Sequence, residues 1–262
     1  VSSDGYPEAE MIKDAFISGL LSTGVSVYEA GPLTPALQRF GVGFLGADGG
    51  VYFKTFPGDR QRLRIQFFDH RGINISRDLE RKIENFFHRE DFRRVPSLEV
   101  KYVLGAPDFV SAYLDFMRQE VNEDFWKYNP GIVLCTRGNP ADAALNLLLE
   151  AMGITVYLVE AKHLGDEPED PHMIYSAVSE TVARTGALFG AVVDCHGENM
   201  VIVDTHGSII EGNSLTVLLS LVYFITNKGG CFVVPVTAPR AVEDLAHAFG
   251  GRVLRTKTGT RW

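Results

Sequence analysis

The sequence has no apolar run of the ~20 residues that a membrane-spanning helix requires. Its most apolar stretch, Leu215 to Ile225, is shorter than that and is interrupted by Thr216, Ser220 and Tyr223. A surplus of positive charge is also lacking: the net charge is −8, which argues against a broad nucleic-acid-binding surface. Cysteine is scarce. Cys135, Cys195 and Cys231 are odd in number and far apart, which fits free thiols in a reducing compartment better than a disulfide framework. There is no P-loop, no Gly-x-Gly-x-x-Gly after a strand, no Cys-x-x-Cys and no Gly-x-Ser-x-Gly. Phosphate cradles, dinucleotide folds, dithiol redox centres and nucleophile elbows are thereby set aside. No low-complexity segment and no repeat of 20–50 residues is present. The opening Val1-Ser-Ser-Asp4 has neither a basic start nor an apolar core, so no signal peptide is read. The expectation is a cytoplasmic protein with no membrane and no nucleic-acid partner.

What is present is an α/β pattern. A chain of 262 residues predicts two or more domains. Ile12, Phe16, Gly19, Leu20 and Thr23 recur at helical spacing. Val25–Tyr28 reads as a strand, and Thr34-Pro35 as an N-cap followed by proline at the first helical position. Two strands, Val51–Thr55 and Leu63–Phe68, flank a polar loop, Phe56–Arg62, and Asp69–Gly72 is a further turn. A charged helix is expected over Arg77–Phe87 and a short strand over Leu98–Leu104. Helices and strands then alternate: a helix with Phe109, Tyr113 and Phe116, strand Gly131–Cys135, helix Ala141–Met152, strand Val156–Val159, an acidic loop Gly165–Pro171, and a helix bearing Ile174, Val178 and Val182. Strands Phe189–Val193 and Met200–Asp204, helix Ser214–Thr226, strand Cys231–Val236, helix Ala238–Phe249 and strand Arg252–Thr256 complete the chain. Such alternation marks mostly parallel sheets flanked by helices. Ile132–Cys135 and Val233–Val236 read as strands buried on both faces. Tyr113, Phe116 and Trp126 read as core aromatics.

The order of motifs resembles the α-D-phosphohexomutase superfamily, the phosphomannomutases and phosphoglucomutases. Ser18–Val25, Leu33–Leu37 and Asp69–Gly72 resemble its first domain. Gly131–Cys135, Leu147–Gly153 and Ala191–Asn199 resemble the second, and Val201–Asp204, Gly207, Glu211-Gly212 and Thr256–Gly259 the third. The resemblance implies consecutive three-layer α/β/α domains with mixed, mostly parallel sheets, assigned to 1–104, 105–203 and 204–262. It also implies that the first strand and helix, the end of the third domain and the whole fourth domain are missing, so that the chain is part of something longer.

Enzymes of that superfamily carry the phosphoryl group on a serine, hold Mg²⁺ in a loop of aspartates and neutralise charge with basic groups. Here Gly49-Gly50 and Val51–Phe53 keep the context of the serine loop, but the loop reads Lys54-Thr55-Phe56-Pro57-Gly58-Asp59, with Phe56 in the place of the serine. Thr55 offers a hydroxyl one residue out of position. In the metal loop, Asp194 is kept, His196 and Glu198 replace aspartates and Asn199 replaces an arginine. Asp194, His196 and Glu198 could hold a divalent metal, Zn²⁺ or Mn²⁺ better than Mg²⁺, since imidazole is a softer ligand; the other reading is a solvated polar turn. Cys195 beside His196 is no nucleophile–base pair, because neighbours on an extended chain point apart. Lys54, Arg60, Arg62, Arg64 and Arg71 surround the loop. Lys54, Arg60 and Arg64 are the candidates for a sugar phosphate, against the reading of a solvated hairpin. At the chain's start, Ser2–Tyr6 replaces a motif with two arginines.

The expectation is a catalytically degenerate, sugar-phosphate-binding module with a regulatory or assembly role. It resembles the mutase-like region that follows a nucleotidyltransferase domain in mannose-1-phosphate guanylyltransferase-like proteins. The alternatives are an active mutase with altered residues and a module for homo-oligomerisation.

Overall fold

The computed structural model describes residues 1–56, 59–120, 131–136, 145–146, 149–161, 171–194 and 196–257. Expectations that fall on Pro57, Gly58, Trp126, Cys195, the acidic loop before Pro171, the first half of the helix over 141–152 and residues 258–259 lie outside them. The side chain of Arg60 does too.

The amino-terminal unit runs β1 (Ser2–Ser3), α1 (Pro7–Ser22), β2 (Val27–Glu29), α2 (Pro35–Phe44), β3 (Gly49–Phe56), β4 (Asp59–Asp69), α3 (Arg77–Arg89), β5 (Val103–Gly105) and α4 (Phe109–Glu120). β3 lies between β1, which is parallel to it, and β4, which is antiparallel; β2 pairs in parallel with β5. The two ladders are joined where the Val1 ammonium donates to Tyr28 O of β2 at 2.7 Å, and the segment after β2 continues the contact through Leu33 N to Ser3 O at 3.0 Å. Thr34 caps α2 by accepting from Leu37 N, and Pro35 follows at the first helical position. Phe109 of α4 packs on Leu33 and Leu37, and Phe40 meets the rings of Tyr113 and Phe116; Tyr113 packs against this cluster as expected of a core aromatic, but Phe116 is 48% exposed.

Three expectations shift here. The buried residues of α1 are Ala9, Lys13 and Ile17, one step around from the predicted stripe. A lysine can occupy the middle of a buried stripe because its charge is met inside: Lys13 Nζ lies 2.8 Å from Glu10 and 2.5 Å from Glu29. Burial alone would lower its pKa, but the bonds to Glu10 and Glu29 outweigh it and hold it raised. Second, the predicted loop Phe56–Arg62 is mostly strand. The β3–β4 pairing continues to Phe56 opposite Asp59, with a register shift between Thr55 and Phe56. Third, Ser97–Glu99 is a short 3₁₀ turn, and the strand forms only at Val103–Gly105.

The second sheet has the order β10-β9-β8-β6-β7, from β6 (Gly131–Thr136), β7 (Thr155–Glu160), β8 (Gly190–Val193), β9 (Met200–Val203) and β10 (Ile209–Ile210). β6, β7 and β8 are parallel; β9 and β10 return antiparallel. β6 is buried on both faces as its composition implied. Val133 and Cys135 pack with Ile174, Val178 and Val182 of α5 (Pro171–Thr185), and Ile132 packs on the other side with Met152 and Ile154. The last described elements are α6 (Gly212–Thr226), β11 (Cys231–Pro235), α7 (Ala241–Ala248) and β12 (Arg252–Thr256), with β11 parallel to β12. The expectation for Val233–Val236 does not hold. Val234 is buried, but Val233 and Val236 are 56% and 58% exposed. Among the described residues β11 pairs with β12 alone, and α6 covers one face of it through Tyr223 and Phe224 against Phe232.

The close fit of α5 on β8 gives a prediction of opposite signs. A Cβ at Gly190 would stand 2.1 Å from Val178 Cγ1, whereas one at Gly19 on α1 would meet nothing within 4 Å. Gly190→Ala should cost about 1–3 kcal/mol through overpacking. Gly19→Ala should gain about 0.5–1 kcal/mol through helix propensity. Urea denaturation of the two variants against the parent checks both.

Candidate functional site

The two sheets meet where the end of β1, the end of β3 and the hairpin between β8 and β9 converge. β1 lies beside β3 in the register Ser2–Tyr52 and Ser3–Phe53, so the next residue, Asp4, falls beside Lys54 and Thr55. Asp4 is fully buried, and its Oδ2 accepts from Thr55 N at 2.7 Å and from Thr55 Oγ1 at 2.8 Å. Thr55 is 3% exposed, so its hydroxyl is a donor spent on Asp4, not a group presented to a substrate. Phe56 follows, with the guanidinium carbons of Arg62 and Arg64 at 4.7 and 4.9 Å from its ring centroid.

The hairpin between β8 and β9 is built by a local rule that the chain uses in two other turns as well. Asp69, Asp194 and Asp204 each begin a turn with glycine three residues on: Gly72, Gly197 and Gly207, at φ 73°, 69° and 80°. In each turn the glycine N–H donates to the aspartate's own carbonyl. In each, one carboxylate oxygen accepts the N–H groups two and four residues ahead: Arg71 and Ile73 for Asp69, His196 and Glu198 for Asp194, His206 and Ser208 for Asp204. Asp194 spends its second oxygen on Asn199 Nδ2 at 2.7 Å. Burial would raise the pKa of Asp194, but the bonds from Asn199, Glu198 and His196 outweigh it and keep it lowered.

The turn thus fixes His196 and Glu198, and both reach back to β3. His196 is 3% exposed; its Nε2 lies 3.2 Å from Thr55 O. Because a carbonyl only accepts, Nε2 carries the proton and Nδ1 is a bare acceptor. Nδ1 is buried without a hydrogen-bond partner among the described residues. Burial, then the charge of Lys54, lower the pKa of His196, against opposing pulls from Asp4, Asp194 and the Thr55 carbonyl. Lys54 Nζ lies 2.5 Å from Glu198 Oε2; the side chains are 8% and 33% exposed. Losing one partner of a buried pair costs on the order of 3 kcal/mol, and less here because Glu198 is partly in water.

The sequence-predicted residues therefore divide. Lys54, Thr55, His196, Glu198 and Asp194 come together at the seam. Arg62 and Arg64 flank Phe56 on the hairpin's outer part. Arg71 sits at the other end of β4, paired with Asp69 at 3.2 Å. The donor set does not fit a divalent cation. The Asp194 oxygens hold three N–H groups, an ammonium already sits on Glu198, and a hard cation would need these oxygens turned to one point. Among the described residues the carboxylates whose oxygens do gather within 4.8 Å are Glu10, Asp14 and Glu29, and Lys13 stands in their midst. Asp4 as the anchor of Thr55 was missed by sequence reasoning. The signal was faint: a single acid between serines and a glycine, in a segment whose partner lies 51 residues away.

The lowered pKa of His196 fixes a pH dependence. The unfolded chain takes up a proton near pH 6.5, and the folded chain only at lower pH. The stabilisation is thus present above pH 6.5 and is lost as pH falls below it toward the folded value. Denaturant midpoints of the parent should fall between pH 7 and pH 5 more than those of His196→Gln, which keeps an N–H for Thr55 O. The lowered pKa of Asp194 acts in a separate window, below its unfolded value of 3.8.

The chain has known counterparts in sequence and in fold. Residues 1–94 match the family model of phosphoglucomutase/phosphomannomutase, alpha/beta/alpha domain I. The chain is 30% identical over 265 residues to a phosphoglucomutase/phosphomannomutase of Thermococcus kodakarensis, covering 99% of this chain and 58% of that protein. It is 29% identical over 266 residues to a probable phosphoglucosamine mutase of Pyrococcus furiosus, covering 99% and 57%. The crystal structure of a phosphoglucomutase/phosphomannomutase family protein from Burkholderia thailandensis shares the fold, with a TM-score of 0.80 at 17% identity over 98% of this chain and 57% of that one. The chain spans a little over half the length of the relatives it matches. Residues 1–94 thus match domain I of the phosphoglucomutase/phosphomannomutase family, and the chain over nearly its whole length is similar in sequence to mutases of the phosphohexomutase superfamily and shares the fold of such a protein.

Proposed function

We propose that this chain is a phosphohexomutase-like module that binds a sugar phosphate and does not transfer its phosphoryl group. One observation carries the reading. Of the six residues Lys54 to Asp59, Thr55 alone has a hydroxyl, and that hydroxyl is buried and bonded to Asp4. The position beside it is the phenyl ring of Phe56, which cannot take a phosphoryl group. Covalent transfer needs a hydroxyl oxygen within attack distance of phosphorus, about 3–3.5 Å, and the hairpin presents none.

The exposed guanidinium groups of Arg62 and Arg64, held on the Phe56 ring, supply the positive rim that a phosphate monoester would meet. Arg60 and Lys54 belong to the same hairpin. In this reading the module serves a regulatory or assembly role within a longer protein, beside a nucleotidyltransferase domain, and self-association is compatible with that role.

The test is incubation of the chain with glucose 1-phosphate or mannose 1-phosphate, the matching 1,6-bisphosphate and Mg²⁺, with the 6-phosphate measured by a coupled assay. No product above blank is expected. Phe56→Ser should stay equally silent, because a hydroxyl alone restores neither a metal loop nor the missing arginines. Turnover by the parent chain would show that it is a mutase with altered residues.

A further inference from the structure

We infer that Lys54 is a tethered cation, which permanently supplies the positive charge at the seam between the two sheets and keeps a divalent metal ion out of the β8–β9 hairpin. The placement comes first. Lys54 lies on β3, paired across the ladder with Arg64, but its side chain turns inward to 8% exposure and crosses to the other unit. A lysine is buried to that extent only where its charge is met. Here it is met by Glu198 at 2.5 Å.

The surroundings call for one positive charge. Asp4 is fully buried, Asp194 is held in the turn, and Glu198 points at β3. The remaining nitrogen ligand, His196, spends Nε2 on Thr55 O, so the buried Nδ1 is the ring atom left to meet an ion. A divalent ion placed on Glu198 would stand beside the ammonium, and like charges at such a separation repel strongly in a half-buried site. It would also have to strip Asp194 of the N–H groups of His196 and Glu198, and so open the turn that positions both. The ammonium needs none of this, since a lysine asks only for oxygen acceptors around three donors.

The inference concerns charge and metal exclusion, and it holds whether or not a sugar phosphate binds. Its test uses manganese(II) chloride alone, on the parent chain, Lys54→Met, Lys54→Gln and Glu198→Gln. Binding is read from the loss of the free-ion electron paramagnetic resonance signal, and stability from thermal midpoints. The parent should leave the free-ion signal intact at millimolar Mn²⁺, with an unchanged midpoint. Lys54→Met should melt lower than the parent, and Mn²⁺ should recover part of the loss. Lys54→Gln, which keeps a polar end on a shorter side chain, should behave the same way and stands in if the methionine variant does not fold. Uptake of one Mn²⁺ by the parent that disappears in Glu198→Gln would overturn the inference. So would a folded lysine variant whose midpoint ignores Mn²⁺.

Discussion

Everything at the seam depends on where the buried carboxylate of Asp4 finds its protons. A carboxylate without water must be met by donors or positive charge, or its burial is prohibitive. Asp4 meets this constraint by taking both the N–H and the hydroxyl of Thr55. That choice fixes the end of β3, turns the Thr55 carbonyl toward His196 and leaves the neighbouring Lys54 to cross to Glu198. Removing Asp4 would therefore undo more than one contact. It would free the residue on which the second unit's hairpin rests.

The chemistry follows from that arrangement. In a phosphoryl-transferring site the hydroxyl must be exposed and the positive charge free to follow the migrating group. At this seam the hydroxyl is buried and the Lys54 charge is already neutralised by a carboxylate. The positive groups left at the surface are those on the outer face of the hairpin, against Phe56. They suit recognition of an anion better than its conversion.

Much of the fold was legible because it rests on local periodicity. α2 with its Thr34-Pro35 start, β6 with its unbroken apolar run and α5 with its Ile174–Val178–Val182 stripe could be read directly. What could not be read were pairings whose cause lies far away in sequence. Lys13 looks like a surface residue until Glu29 is known to lie beneath it. Phe56–Arg62 looks like a loop because its polar composition hides a strand stabilised by the facing β3. The site was half legible: the serine's replacement by Phe56 was plain, and Asp194, His196 and Glu198, read as one set of metal ligands, do lie in one turn. Their roles were less accessible, because the same aspartate that could ligate a metal also organises a turn. Only the matching bonds of Asp69 and Asp204 show which task the turn geometry assigns to it.

The most direct measurement is calorimetric titration of the chain with mannose 1-phosphate and with glucose 1-phosphate, once in EDTA and once in Mn²⁺. The account predicts binding of the same affinity in both buffers, because the positive rim of Arg62 and Arg64 is part of the chain and needs no metal. Binding that appears only with Mn²⁺, or no binding at millimolar ligand in either buffer, would contradict it.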